Sequence, residues 1–263
     1  MPSVIMPPIK ITSVTNPKIK RVIGLRDRRE RDQSGLTIIE GRRELELAIQ
    51  AGVEVKEIYT SGESFQKKGT APIFFITPGV YAKISYGNRE EGILAVAEQP
   101  KIDFTDSRLK SGEQIFVVIE QVEKPGNLGA IFRTCDAVGV SGVLVCDPAT
   151  DLYNPNVIRA SLGTIFSVNT MVCSNQEALD FCKSKKIKCL ATTPCADQIY
   201  YNSDLKCPVA IIVGSEEKGL SDFWMRHADL KVRIPMLGLA DSLNVSTSTA
   251  VLLYEALRQR NRK

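Results

Sequence analysis

The sequence predicts an α/β protein of two segments, the second built on a mostly parallel sheet covered on both faces. Three observations predict it. Apolar runs such as Ile115-Phe-Val-Val-Ile119 and Val209-Ala-Ile-Ile-Val213 read as strands buried on both sides. Amphipathic helical stretches separate these runs, as the crossovers of a parallel sheet must. The pattern breaks near Gln99-Pro-Lys-Ile-Asp-Phe-Thr-Asp-Ser107, where the first segment ends.

In the first segment a helical stretch from about Pro17 to Glu30 precedes a strand at Leu36–Glu40 and a helix at Arg42–Ala51. Strands follow near Val55–Thr60, Ile73–Ile76 and Ile93–Glu98, with a short helix after Pro78. In the second, Ile115–Ile119 leads to a helix, Asn127–Gly139, with Leu128, Ile131, Phe132, Cys135 and Val138 on one face. Strands Val143–Cys146 and Val168–Cys173 come next, then the helix Ala178–Lys186, opened by a Ser174-x-x-Glu177 capping box. Strands Ile187–Ala191 and Val209–Val213, a helix Ser221–Ala228 capped by Ser221, and a strand Lys231–Ile234 lead to a terminal helix, Val245–Arg260.

A chain of 263 residues has room for one large or two modest domains. Its 43% hydrophobic content excludes a disordered chain. No apolar run approaches the ~18 residues of a membrane span, and the first ten residues show no secretory signal. No membrane partner and a cytoplasmic location are therefore expected. Seven cysteines, none in a C-x-x-C pair, suggest neither a disulfide framework nor a zinc ribbon but reduced thiols. His227 is the only histidine, which excludes a two-imidazole chemistry or a His-rich metal site; no metal is expected.

The formal charge is +4, but the cations are unevenly placed. Lys18, Lys20, Arg21, Arg26, Arg28, Arg29 and Arg31 crowd the first helix and its exit, with Arg42 and Arg43 shortly after. Interleaved Asp27, Glu30 and Asp32 allow a solvated face of i,i+4 pairs; the other reading is contact with nucleic-acid phosphates. Charge alone leaves both open.

Nucleotide-binding loops fail on inspection. Gly126-Asn-Leu-Gly129 has the wrong spacing for a dinucleotide fingerprint. Gly214-Ser-Glu-Glu-Lys-Gly219-Leu-Ser221 imitates a phosphate-binding loop but carries Leu220 at the essential Lys position. What remains is three polar turns placed directly after apolar strands, where ligands of open α/β sheets bind. They contain Asn127 to Gly139, Gly214 to Ser221, and Ile234 to Ser246. Helix capping explains Asn127, Ser221 or Asn244 taken singly; Arg133, in an apolar-faced helix, has no such explanation.

At these residues the sequence resembles the SpoU (TrmH-type) family of RNA ribose 2′-O-methyltransferases, within the SPOUT superfamily. Asn127, Gly129, Arg133 and Gly139 match the first family motif, and Gly214, Glu216, Gly219 and Ser221 the second. Ile234 through Ser246 match the third without a gap, and Arg159-Ala-Ser161-Leu-Gly163 an additional stretch. Ser13-Val-Thr-Asn16-Pro-Lys18-Ile-Lys20 and Ile39-Glu40-Gly41 resemble the start of a ribosomal-protein-like RNA-binding domain carried by several members.

The resemblance implies a substrate RNA-binding domain over residues 9–99, a linker over 100–112, and a methyltransferase domain over 113–263 with a deep trefoil knot. It implies homodimers, S-adenosyl-L-methionine as cofactor, and RNA as substrate, with ribosomal RNA favoured over transfer RNA; a non-catalytic RNA-binding scaffold is the rival of another class. Arg133, Asn127, Glu216, Ser242 and Asn244 become the expected catalytic set. Thr192, Gly214, Ile234, Met236 and Leu243 are expected at the cofactor, and Arg28, Arg29, Arg42, Arg159 and Ser161 at RNA, Arg159 towards the other subunit's site. Asn127 is expected to orient Arg133 or the ribose. A guanidinium holds its proton far above neutral pH, so Arg133 is expected to stabilise a forming alkoxide instead of acting as a base.

Overall fold

A computed structural model describes residues 9–62, 71–86, 92–102, 104 and 114–260, and in it the chain divides into two units. One comprises Met1–Pro100 with Tyr153–Phe166, the other Lys101–Leu152 with Ser167–Lys263. Most of the linker expected at 100–112 lies outside the described residues. Residues 153–166, which the sequence places in the second domain, pack with the first unit.

The first unit carries a mixed sheet of β1 (Ile9–Ile11), β2 (Leu36–Glu40), β3 (Val55–Thr60), β4 (Ile73–Ile76) and β5 (Ile93–Glu98), in the order β1-β4-β3-β5-β2. Ile19 and Val22 of α1 (Pro17–Gly24) and Val80 and Ile84 of α4 (Pro78–Ile84) close its core with Ile38, Tyr59 and Val96. The single helix expected over 17–30 is two. Asp27 accepts a hydrogen bond from Arg29 N at 2.7 Å and so starts α2 (Arg28–Ser34) afresh, an Asp side chain competing with the helix it interrupts. After α3 (Arg42–Gln50) the helical content of this unit is completed by α6 (Pro155–Ala160) and a 3-10 turn, Thr164–Phe166. Thr37 Oγ1 donates to Tyr153 O at 2.7 Å, and Gly163, at φ +85°, lies against the Glu44 backbone, where a Cβ would approach to 3.0 Å.

The second unit is built on seven strands, every pair parallel. These are β6 (Ile115–Glu120), β7 (Gly142–Cys146), β8 (Thr170–Cys173), β9 (Lys188–Thr192), β10 (Gln198–Ile199), β11 (Val209–Val213) and β12 (Leu230–Arg233). Their order is β10-β12-β9-β11-β6-β7-β8. The expectation of a sheet covered on both faces holds: β6, β7 and β11 are buried at every position. α7 (Asn175–Ser184) and α8 (Asp222–His227) contribute Leu179, Cys182 and Trp224 to a core with Phe116, Val118, Leu144 and Ile212. α5 (Pro125–Val138) and α9 (Val245–Arg260) pack against each other, and α9 against β11. From β6 the chain moves outward through β7 to β8, then returns on the other side of β6. That reversal puts the carboxyl ends of β6, β11, β9 and β12 around one crevice.

Candidate active site

A cavity of about 550 Å³ occupies that crevice. Thr192 ends β9, Val213 and Gly214 follow β11, and Ile234 follows β12; all line it. So do Glu216, Met236, Ser242, Leu243 and Asn244, so that eight of the ten residues expected for chemistry and cofactor share one wall system. Lys124, Cys195, Met225 and Ser248 also line it and were not singled out from the sequence. Ser248 stands one helical turn beyond Asn244, so extending the third motif by that period would have found it; Cys195 carries no such signal.

The turn after β11 closes on itself. Ser215 N donates to Gly219 O at 3.1 Å and Gly219 N to Ser215 O at 3.0 Å. A Cβ on Gly214 would lie 2.2 Å from Gly219 O, so only glycine fits there. At the end of β9 the Thr192 hydroxyl is buried with no hydrogen-bond partner among the described residues. A buried hydroxyl without a partner costs free energy that a bound polar ligand recovers.

Asn127 and Arg133 lie outside the cavity lining. Asn127 is tied to it: its Nδ2 donates to Glu216 Oε1, and its Oδ1 accepts from Asn244 Nδ2 at 3.1 Å. Glu123 N also donates to Glu216 Oε2, at 3.4 Å. One residue from each of the three motifs thus joins a single chain, Asn244–Asn127–Glu216. Asn127 caps nothing, because Lys124 is the N-cap of α5. Asn244 does both jobs, since its Oδ1 also accepts from Ser246 N at 3.0 Å and Ser246 Oγ at 2.6 Å. Ser221 stands at the N-cap position of α8 without capping it; its hydroxyl donates to Glu120.

Arg133 is exposed on α5 and has no hydrogen bond or ion pair among the described residues. The sequence has Asn127 orienting Arg133 or the ribose; the structure does not join it to Arg133, its amide bonding Glu216 and Asn244 instead. Six residues apart on a helix of 3.6 residues per turn, the two side chains also leave the axis about 120° apart.

The first unit holds the residues expected at RNA. Arg28 and Arg29 are exposed on α2, Arg28 with a long 3.5 Å ion pair to Asp32, and Arg42 is exposed at the start of α3. Arg31 is not part of a charged surface: it is buried, and its Nη1 donates to Leu25 O and Arg26 O. Lys18 and Arg21 are engaged by Glu57, which also accepts from Tyr59. Burial pushes the Glu57 carboxyl up, but the hydrogen bonds from Lys18 and Tyr59 and the Arg21 charge outweigh it and hold the group below its ordinary value. Arg159 is half-buried on α6. Ser161 is a correction: it is wholly buried, and its hydroxyl donates to Ile158 O, closing the end of that helix instead of facing RNA. His227 is exposed on α8, with Nδ1 2.8 Å from Phe223 O. All seven cysteines are free.

Comparison with known proteins gives two family matches. The model described as the SpoU rRNA Methylase family matches residues 114–254, and the MRM3-like substrate binding domain matches residues 16–95. A 23S rRNA uridine 2′-O-methyltransferase of Streptomyces viridochromogenes is 29% identical over 90% of this chain and 87% of its own length. A crystal structure of an RNA 2′-O ribose methyltransferase superposes with a TM-score of 0.85 at 41% identity, covering 96% of this chain and 99% of that one. The SpoU methyltransferase AviRb of S. viridochromogenes, in complex with the cofactor AdoMet, superposes with a TM-score of 0.82 at 27% identity, covering 94% and 99%.

Proposed function

The chain belongs to the SpoU rRNA methylase family, and from that premise we propose that it transfers a methyl group from S-adenosylmethionine to a ribose 2′-hydroxyl of RNA, with 23S ribosomal RNA as the substrate. The observation that carries this is the hydrogen-bonded chain Asn244–Asn127–Glu216, which joins three distant motifs beside one cavity.

The residues present fit that cofactor. The cavity volume is within the ~300–1,000 Å³ of small-molecule sites. Ile234, Met236 and Leu243 offer apolar wall, the Thr192 hydroxyl lacks a partner among the described residues, and Gly214 keeps the turn close. No phosphate cradle is needed, because S-adenosylmethionine carries no phosphate. When bound, it supplies an electrophilic methyl group on a sulfonium.

The remaining tasks fall to this chain's side chains. Alignment of donor and acceptor removes much of such a barrier, and the Asn127–Glu216 and Asn127–Asn244 bonds fix the walls that align them. Ser242, exposed and lining the cavity, is the side chain we assign to the nucleotide. The Arg133 guanidinium offers a fork of donors to the phosphate and the forming 2′-alkoxide. On α2 and α3, Arg28, Arg29 and Arg42 supply exposed charge for the RNA backbone.

The finer reading follows the same observations. A trefoil knot is supported by the strand order: β11 is inserted between β6 and β9, the chain returns as β12 beyond β9, and α9 then packs back on β11. A homodimer is supported by Leu237 and Leu239, which are fully exposed on the β12–α9 turn. Cytoplasmic location follows from a ribosomal substrate and free thiols. The test is transfer of labelled methyl from S-adenosylmethionine to deproteinised 23S ribosomal RNA and, separately, to transfer RNA. Label in 23S ribosomal RNA alone supports the reading; label in transfer RNA alone replaces the substrate, and none in either removes the activity.

A further inference from the structure

Glu120, the last residue of β6, is a carboxylate that the three motifs do not include. It is 2% exposed, on a strand flanked by β11 and β7. Three donors converge on it. Oε1 accepts from Ser221 Oγ at 2.6 Å and from Asn175 Nδ2 at 2.6 Å, and Oε2 accepts from Ser221 N at 2.8 Å. Asn175 is held in turn: its Oδ1 accepts from Trp224 Nε1 at 2.7 Å, and Trp224 is wholly buried on α8. Asn175 opens α7, and Ser221 ends the turn that begins at Gly214.

A buried carboxylate is costly to desolvate, and uncharged residues would be the cheaper filling for such a position. What the charge obtains here is two acceptor oxygens that satisfy three donors at once. The turn they anchor is the one whose residues 214–220 form a wall of the cavity. Its near end is fixed by β11, and its two arms are clamped by the Ser215–Gly219 pair. Its far end is held by Ser221 through Glu120, beside Leu220, which packs against the core.

We propose that Glu120 is a positioning residue for the cofactor, acting through Ser221 to hold the Gly214–Ser221 turn at the depth S-adenosylmethionine requires. This rests on the cofactor reading above. In Glu120→Gln one acceptor oxygen becomes an amide donor, which faces either the Ser221 N–H or the Asn175 amide. Ser221→Ala is the milder variant, because it removes only the hydroxyl bond and leaves the backbone bond.

The test is titration calorimetry of full-length wild type, Glu120→Gln and Ser221→Ala with S-adenosylmethionine, together with hydrogen exchange over residues 214–221 and RNA affinity by filter binding. The expected result is a Kd about tenfold weaker for Glu120→Gln and about threefold weaker for Ser221→Ala. Exchange should rise in the turn in both variants, RNA affinity should stay at the wild-type value, and the double variant should lose less than the product of the two. Should Glu120→Gln fail to fold, Ser221→Ala decides by the same readings. Equal cofactor affinity in wild type and the folded variants, or equal loss of cofactor and RNA affinity, overturns the positioning role alone. No binding by the wild type overturns the cofactor reading, and this proposal with it.

Discussion

At Gly214 the missing side chain matters more than any that is present. A methyl group there would meet the Gly219 carbonyl at 2.2 Å, so Gly214→Ala should open the turn and abolish the heat of S-adenosylmethionine binding while the far-ultraviolet circular dichroism stays native. Native binding by that variant would mean the turn does not shape the pocket. Arg133 should behave oppositely. Its exposed guanidinium has no structural partner among the described residues, so Arg133→Ala should lower the rate of methyl transfer by about 10²–10³-fold and leave cofactor affinity within about twofold. Arg133→Lys keeps the charge without the fork and should fall between; wild-type turnover by the alanine variant would remove the assignment. Candidate site residues stood out in the sequence where a polar side chain had no local structural use, as with Arg133. Asn127 and Asn244 each had a local explanation, helix capping, and only the fold shows Asn127 spending its amide on two other motifs. Glu120 was hidden because a single acidic residue at a strand end carries no spacing signal.

Among the elements, those read best were the fully buried strands and the long terminal helix. β6, β11 and α9 fall within a residue of expectation, since burial on both faces or over four turns leaves a pattern too long to misread. β1 and β10, of three and two residues, are too short to carry a period, and the break between α1 and α2 turns on the single side chain of Asp27. Glu57 joins α1 to β3 through Lys18 and Arg21, and its folded pKa lies below the unfolded one. Its contribution is therefore complete above the unfolded value, about pH 4.3, and is lost as pH falls through the folded value. Glu57→Gln should destabilise the protein to denaturant at pH 7 and progressively less as pH falls below the unfolded value; a loss that stays constant with falling pH would contradict this. On α2, Arg28→Glu with Arg29→Glu should weaken RNA binding and reduce the log–log salt slope by about 1.4–1.8 for two lost phosphate contacts. An unchanged slope would place the RNA elsewhere.

For the molecule as a whole, what the sequence could not carry is long-range order. Alternating strands and helices imply a parallel sheet but leave open that β11 enters between β6 and β9. Nor does any local pattern reveal that residues 153–166 pack with the first unit, through a bond between Thr37 and Tyr153 that spans 116 positions. Such contacts are set by which surfaces remain to be buried once local structure has formed. Fully exposed Leu237 and Leu239 are a surface of that kind left over in one chain. Sedimentation should accordingly give the mass of a dimer, and Leu237→Ser with Leu239→Ser should shift it towards monomer; a wild-type monomer at micromolar concentration would contradict the pairing.

Turns from three distant stretches of this chain assemble a site whose expected product is a methylated ribose oxygen and not a methylated base. The most direct test is to methylate 23S ribosomal RNA with labelled S-adenosylmethionine, hydrolyse the product in alkali and separate the fragments. A 2′-O-methyl group blocks cleavage of the adjoining phosphodiester, so the label should emerge in an alkali-resistant dinucleotide. Label in mononucleotides would place the methyl group on a base and contradict the account.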